Sequence, residues 1–200
     1  MLAKTGELVA DVGRQMDEYD ISGACQSVRS YLDALTNWYV RRSRDRFWAG
    51  DADAFDTLAT VLETLCRVMA PLAPLTAEEI WRGLTGERSV HLTDWPAADA
   101  FPADHDLVAS MDAIREVASA ALSLRKAKAL RVRLPLARLT VATPVAEALR
   151  PFADLLADEV NVKDVVLAEA GSLGAERYEV DLRAVGKRLG KDTPAVVQAM

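Results

Sequence analysis

The class of fold is decided by residues 22–48, SGACQSVRSYLDALTNWYVRRSRDRFW. Its apolar residues recur three or four positions apart, at Ala24, Val28, Tyr31, Leu32, Leu35, Trp38 and Tyr39. This period predicts one α-helix with an apolar face, capped at its start by Asp20 or Ser22 and ended at Gly50. A long helix with one apolar face must pack on other helices, which indicates a helical bundle.

The segments on either side show the same period. Further helices are predicted over residues 2–19, 53–70, 76–84 and 104–128. Thr76 and Glu79 have the spacing of a capping box, which predicts that the fourth helix starts at Thr76. Residues 86–103 contain two prolines and favour an extended loop. We therefore predict a bundle of about five helices over residues 1–130.

The pattern changes after Ala129. Short β-type runs separated by a helical one predict strands at 139–142, 162–168 and 178–182, with a helix at 145–157. Residues 131–200 are therefore predicted to form a small α/β domain. Residues 193–200 have the pattern of a helix cut short, so we expect this domain to be truncated. The predicted fold is mainly α, with a helical bundle followed by the small α/β domain.

Composition limits the classes of protein to consider. Half of the 200 residues are hydrophobic, so the chain can bury a core, and the net charge of −6 argues against a generally basic nucleic-acid binder. Cys25 and Cys66 do not form a C-x-x-C pair and are predicted to be reduced core residues. Without an apolar run of membrane-spanning length or a signal-peptide pattern, the expected location is cytoplasmic.

Positive charge is concentrated in two places. The first basic cluster, residues 36–48, contains four arginines and one acid, Asp45. The second basic cluster, residues 125–138, contains six basic residues and no acid. The rest of the chain is acidic and should repel nucleic acid, which would orient docking toward the two clusters. Guanidinium groups beside aromatic rings suit RNA, which offers phosphates and unstacked bases.

On a regular helix, the first basic cluster would present one polar face. Asn37, Arg41, Arg44 and Trp48 follow the spacing i, i+4, i+7, i+11, and Arg46 belongs to a second row. The second basic cluster surrounds the end of the last helix of the bundle. The candidate RNA-binding residues are therefore Asn37, Arg41, Arg44, Arg46, Trp48, Arg125, Lys126, Lys128, Arg131 and Arg133.

Structural interpretations compete with RNA binding at these positions. Trp38 has helical spacing from Leu35, so core packing is favoured over base stacking. For any single arginine, an ion pair with an acid of a neighbouring helix is about as probable as a contact with RNA. Basic residues near a helix C-terminus are also favoured by the helix dipole.

The sequence contains no recognisable catalytic constellation. His91 and His105 lie outside both basic clusters and do not form a metal-binding pair. Residues 186–192, GKRLGKD, have the wrong spacing for a phosphate-binding loop and place Asp192 where a hydroxyl is needed. We therefore predict a binding module with no catalytic residue, no metal and no cofactor of its own.

Five phrases, in order along almost the whole chain, resemble isoleucyl-tRNA synthetases, which are class I enzymes. They are NWYVRRSR (37–44) with RFW (46–48), LAPLTAEEIW (72–81), SVHLTDWP (89–96), RVRLPL (131–136) and LGKD (189–192). The resemblance implies a C-terminal fragment that contains the helical anticodon-binding domain and the start of the following domain. It also implies that the catalytic and editing domains lie outside this chain, and no Cys-rich zinc tail is present in it.

The same resemblance implies a function. The fragment would hold the anticodon stem-loop of tRNA(Ile), beside the remaining domains of the same synthetase, with no DNA or membrane partner. The parent isoleucine–tRNA ligase would use ATP and magnesium to aminoacylate that tRNA. Two alternatives stay open: an anticodon-binding domain of a valyl- or leucyl-tRNA synthetase, and a helical protein–protein interaction module.

Overall fold

The computed structural model describes residues 1–170. The chain is mainly helical and ends, within this range, in a small α/β part, which confirms the predicted fold class. Its contacts divide it into two units, Met1–Arg115 and the residues from Glu116 on, a division that falls before the predicted boundary at residue 130. The strand predicted at 178–182, the helix at 193–200 and the loop at 186–192 lie outside the described residues.

Helices form most of the first unit. They are α1 (Leu2–Asp17), α2 (Ile21–Asp33), a π-helical segment (Ala34–Val40), α3 (Arg44–Trp48), α4 (Ala52–Met69), α5 (Pro74–Thr85) and the first part of α6 (His105–Ala127). Short 3-10 turns at Val90–Leu92 and Ala98–Ala100 lie in the stretch that was predicted to be extended. No helix among the described residues is both long and apolar enough to cross a membrane.

The helix predicted from residue 22 to Gly50 is interrupted. After α2, residues 34–40 are π-helical, and Ser43 separates this segment from α3. Gly50, at φ 71°, follows the end of α3 as predicted. Because π-helical hydrogen bonds join residues five apart, the faces of the helix rotate relative to a regular α-helix. The predicted common face of Asn37, Arg41, Arg44 and Trp48 was based on a regular α-helical spacing that this region does not keep.

Local capping decides two helix starts. The side chain of Asp20 accepts a hydrogen bond from the backbone N–H of Gly23 at 2.8 Å and is the N-cap of α2. The capping box predicted at Thr76 was wrong, because α5 already begins at Pro74. Proline suits the first helical position, where its missing N–H would have had no intrahelical acceptor. Gly86, at φ 73°, ends this helix in the left-handed conformation.

The main core of the first unit lies between α1, α2 and α4. Its most deeply buried residues are Val9, Val12, Ala24, Tyr31, Leu35, Val61 and Val68. Inside it, the hydroxyls of Thr5 and Tyr31 are hydrogen-bonded at 2.6 Å, and Thr5 also donates to the carbonyl of Met1. This bonding allows two polar groups to lie in an apolar interior.

A second core cluster joins α4, α5 and the following loop. Trp81 is buried against neighbours that include Ala77 and Val90, and the guanidinium of Arg67 lies 5.2 Å from its ring centre. The Glu78 carboxylate accepts from the backbone N–H of Val90 at 3.0 Å and from the Ser89 hydroxyl at 2.9 Å. These bonds fix the loop that begins at Ser89 onto α5.

The described part of the second unit contains a parallel strand pair. Strand β1 (Leu139–Ala142) pairs with β2 (Val165–Ala168), with Leu139 opposite Val165. Between them lie α7 (Ala146–Leu149), a 3-10 turn (Arg150–Phe152) and α8 (Ala153–Val160), which ends at Asn161 with φ 52°. The connection predicted as one helix is split near Pro151, whose ring nitrogen cannot donate to a helical carbonyl.

The two cysteines differ in exposure. Cys66 is buried as predicted, and burial raises the pKa of its thiol. Cys25 is exposed, so its predicted place in the core was wrong. Position 25 follows the fully buried Ala24, and neighbouring residues of a helix point in different directions.

Candidate nucleic-acid interface

Trp48 is the exposed aromatic residue of the first basic cluster. It is the last residue of α3, and 80% of its surface is accessible to solvent. The preceding Phe47 packs against Phe55 of α4, with 5.4 Å between ring centres. Because tryptophan usually buries most of its ring, an exposed indole indicates a surface for contact with another molecule. Arg44, one turn earlier, is also exposed.

Arg46 is held by an acid that follows α3. Its Nε–H donates to Oδ2 of Asp51 at 2.7 Å, and Asp51 is the N-cap of α4. The hydrogen bond lowers the pKa of Asp51 and raises the pKa of Arg46. Arg46 therefore joins the end of α3 to the start of α4, which is the structural role that sequence reasoning weighed against RNA contact.

Asn37 and Arg41 also have acceptors within their own helix. The Asn37 side-chain amide donates to Oδ1 of Asp33 at 2.7 Å, and this bond is the main cause of the lowered pKa of Asp33. The Nε–H of Arg41 donates to the carbonyl of Asn37 at 2.8 Å. Both residues are exposed, yet these bonds restrict their side chains.

Trp38 has one face covered by Arg42, a neighbour along the chain. It is half-buried, and the guanidinium carbon of Arg42 lies 5.5 Å from its ring centre. This is cation–π geometry, in which the arginine covers one face of the indole. Trp38 thus differs from the exposed Trp48, although both belong to the first basic cluster.

Arg125 requires a correction among the predicted site residues. It is only 5% exposed, and its guanidinium donates to backbone carbonyl oxygens of Arg131, Val132, Leu134, Val160 and Asn161. The group is therefore turned into the protein and does not face a polyanion. A long side chain next to an irregular loop finds unpaired carbonyls there, which sequence spacing could not reveal.

The remaining residues of the second basic cluster face solvent. Lys126, Lys128, Arg131 and Arg133 are all exposed, and none makes an ion pair with another described residue. They lie on what we name the basic loop, residues 126–134, which includes the end of α6. Ala129, at φ 55°, follows that helix end. This loop can offer four cations to phosphates.

Sequence reasoning missed two basic residues. Arg115 donates to Oδ2 of Asp33 at 2.6 Å and to Oδ1 of Asp112 at 3.0 Å, so it restrains the carboxylate that holds Asn37. Lys163 is exposed, and its backbone N–H donates to the carbonyl of Leu136 just beyond the basic loop. The i, i+3 spacing of Asp112 and Arg115 could have predicted a helical ion pair, whereas an isolated lysine gives no such signal.

No group of three or more residues suited to holding a metal occurs in residues 1–170. Nδ1 of His105 lies 2.7 Å from Oε1 of Glu7, a contact between the start of α6 and α1. The residues described therefore offer surface cations and an exposed indole, and no metal-binding cluster.

Known proteins resemble this chain over its whole length. The family described as "Anticodon-binding domain of tRNA ligase" matches residues 1–141. The whole chain is 59% identical to an isoleucine–tRNA ligase of Mycobacterium tuberculosis (strain ATCC 25618 / H37Rv) and 57% identical to one of Nocardia farcinica, covering 19% of each. It is 55% identical to that of Leifsonia xyli subsp. xyli, covering 18%. The chain spans about a fifth of the length of these curated relatives.

Proposed function

Because this chain belongs to the family of anticodon-binding domains of tRNA ligases, we propose that it binds the anticodon stem-loop of a transfer RNA. The observation that carries the proposal is the exposed indole of Trp48 beside exposed cations within a matched anticodon-binding domain. An exposed ring can stack on an unpaired base of the anticodon loop, and cations can contact phosphates of the stem.

The chemistry divides between the two units. In the first unit, Trp48 and Arg44 would contact loop nucleotides, with Asn37, Arg41 and Arg46 as further polar groups nearby in sequence. In the second unit, the basic loop would contact phosphates through Lys126, Lys128, Arg131 and Arg133. Phosphate contacts would supply affinity and orientation, and contacts to base edges would supply specificity.

The proposed tRNA is the one for isoleucine. Relatives that are 53–59% identical to this chain over its whole length are named isoleucine–tRNA ligases. In a full-length enzyme of that kind, holding the anticodon stem-loop would direct the acceptor end toward a catalytic domain outside this chain. That domain, with ATP and magnesium, would attach isoleucine, and this chain would supply recognition and position without a cofactor of its own.

Filter binding with RNA hairpins tests the proposal. The 200-residue chain would be titrated with the isolated anticodon stem-loop of tRNA(Ile) and with a hairpin of its acceptor stem, at several salt concentrations. Tighter binding of the anticodon stem-loop, weakening steeply with salt, is expected. Equal binding of both hairpins, or binding of neither at low salt, would overturn the proposal.

The choice of tRNA needs its own comparison. Anticodon stem-loops of tRNA(Ile), tRNA(Val) and tRNA(Leu) would compete for the chain in one assay. Preference for the valine or leucine hairpin would assign the domain to one of those synthetases. If none of the three hairpins binds, the alternative of a helical protein–protein interaction module is favoured. In that module the arginines would form salt bridges within the protein.

A further inference from the structure

We propose that Arg125 is a positioning residue for tRNA binding, because its buried guanidinium holds the basic loop in the conformation that turns Arg131 and Arg133 outward. The inference rests on the proposed function and deepens it. Arg125 would not touch RNA itself and would act through the residues that do.

The contacts that tie Arg125 to the loop are short. Its Nη2 group lies 2.6 Å from the carbonyl oxygen of Arg131 and 2.5 Å from that of Leu134. The carbonyl of Val132, at 3.1 Å, is a third acceptor. One guanidinium therefore gathers three carbonyls from four consecutive residues, which fixes the path of the backbone there.

The other side of the guanidinium is attached to α8. Nη1 donates to the carbonyl of Val160 at 3.1 Å and lies 3.5 Å from that of Asn161. These carbonyls are at the C-terminus of the helix, where its dipole places partial negative charge. The Asn161 side chain adds a hydrogen bond to the carbonyl of Val132 at 2.9 Å. The loop is thus fastened to α6 and α8 together.

The placement of side chains follows from this backbone. With the carbonyls directed at Arg125, all four residues 131–134 remain exposed at their side chains. Arg131 and Arg133 therefore project into solvent, where a phosphate could accept from both. Without these hydrogen bonds the loop would become ordered only on binding RNA. The conformational entropy lost in that step would reduce the affinity.

The positive charge of Arg125 strengthens its hydrogen bonds to the loop carbonyls. All five of its acceptors are neutral carbonyls, so no carboxylate of the described residues cancels its charge through a hydrogen bond. Arginine stays protonated even when buried, and it offers five donors in a planar fork. A lysine would keep the charge but could not reach both the loop and α8 in this geometry.

A double-mutant cycle on binding of the tRNA(Ile) anticodon stem-loop tests the inference. Arg125→Met should weaken binding about tenfold at low salt and make the slope of log K against log salt shallower by roughly 1.5, as if two phosphate contacts were lost. Arg131→Ala/Arg133→Ala should cause a similar change, and the two sets of substitutions combined should cause little more. Fully additive losses would overturn the positioning role.

A matched control separates positioning from general damage. Arg67→Met removes a different arginine, the half-buried one that packs on Trp81 in the first unit. It should leave the salt slope unchanged even where it lowers stability. Arg125→Lys should keep the charge but not recover the wild-type slope of log K against log salt. It also serves in place of Arg125→Met if the methionine variant does not fold. Full recovery by lysine would contradict the geometric argument.

Trypsin provides a readout without RNA. In the wild type, cleavage after Arg131 and Arg133 should be slow, and Arg125→Met should increase it at those two sites without increasing cleavage after Arg29. Unchanged cleavage would show that Arg125 does not order the loop, whatever the RNA data.

The trypsin and RNA results can also differ. Increased cleavage in Arg125→Met with an unchanged salt slope would show that Arg125 orders the loop but that RNA binding does not need this order. A wild type with slow cleavage and no affinity for RNA would overturn the proposed function, and the positioning role with it.

Discussion

At the scale of single residues, exposure separates side chains that look alike in the sequence. Trp38 and Trp48 both follow helical spacing beside arginines, yet Arg42 covers the ring of Trp38 while Trp48 is 80% exposed. Burying an indole stabilises a fold by removing apolar area from water, so an indole left in solvent gives up that gain. Exposed tryptophan rings are common at surfaces that bind another molecule.

The first prediction concerns that ring. Trp48→Ala should lower affinity for the anticodon stem-loop of tRNA(Ile) by about tenfold, since stacking contributes roughly 1–3 kcal/mol per base. Thermal stability should hardly change, because the ring is exposed. Filter binding measures the first effect and circular dichroism the second. Tyr19→Leu, which removes another highly exposed ring, serves as the control. Wild-type affinity in the Trp48 variant would exclude stacking there.

The second prediction concerns a buried phenol. Burial raises the pKa of Tyr31 to about 12, and the Thr5 hydrogen bond only partly opposes this. In the unfolded chain the phenol ionises near pH 10, so the folded state binds the proton more tightly between these values. The stabilisation that comes from the raised pKa of Tyr31 is fully present below pH 10 and is lost as the pH rises toward 12. We expect the free energy of unfolding to fall there by up to about 2–3 kcal/mol more in the wild type than in Tyr31→Phe.

Urea unfolding at a series of pH values measures this difference. Lysines titrate in the same range, and the Tyr31→Phe curve subtracts their contribution. Parallel curves for the two proteins would mean that Tyr31 ionises as easily in the folded state as in the unfolded one.

At the scale of elements, short-range bonds determine where the helices of the first unit start and stop. Asp20 caps α2, and Asp51 caps α4 by accepting from the N–H of Ala54 at 3.2 Å. The interruption at Ser43 lets α3 pack on α4 through Phe47 and Phe55. Residues that would follow one straight helix are thereby distributed over α2, the π-helical segment and α3, and Trp48 comes to lie at a helix end.

The third prediction separates the two candidate caps of α2. Asp20→Ala should lower the free energy of unfolding by about 1 kcal/mol, because the N–H of Gly23 loses its acceptor. Ser22→Ala should change it little, since Ser22 lies inside the helix rather than at its start. Urea unfolding at neutral pH compares the two, and equal losses would show that the Asp20 bond adds no stability.

At the scale of the whole molecule, charge decides which contacts with RNA are favourable. The chain carries a net charge of −6, and four exposed cations lie together on the basic loop. Long-range repulsion from the acidic remainder and local attraction at the loop would limit the orientations in which RNA can approach. These effects weaken as salt screens them.

The fourth prediction tests this distribution. Lys126→Glu/Lys128→Glu should reduce affinity for tRNA(Ile) by more than tenfold at low salt, and the difference should shrink at high salt. Arg125 is left out of this variant because its burial would confuse binding with folding. Arg29→Glu/Arg82→Glu changes the net charge equally at exposed positions of α2 and α5. Equal losses in both variants would mean that only net charge matters.

The sequence by itself determined the helical class, most helix limits, strand β1 and the resemblance to tRNA ligases, which the family match supports. These features depend on local periodicity and on residues such as Gly50 and Gly86, whose effects reach only a few positions along the chain. The positions of Lys126, Lys128, Arg131 and Arg133 on an exposed loop also followed from local composition.

Only the tertiary structure decided what individual long side chains contact. Arg125 binds a carbonyl 35 residues away at Val160, and Arg115 binds Asp33, 82 residues away. An arginine can reach either a phosphate in solvent or an acceptor inside the protein, and the choice depends on which distant segments fold beside it. Spacing along the chain carries no information about those segments, so the difference between buried Arg125 and exposed Lys126 became visible only in the folded chain.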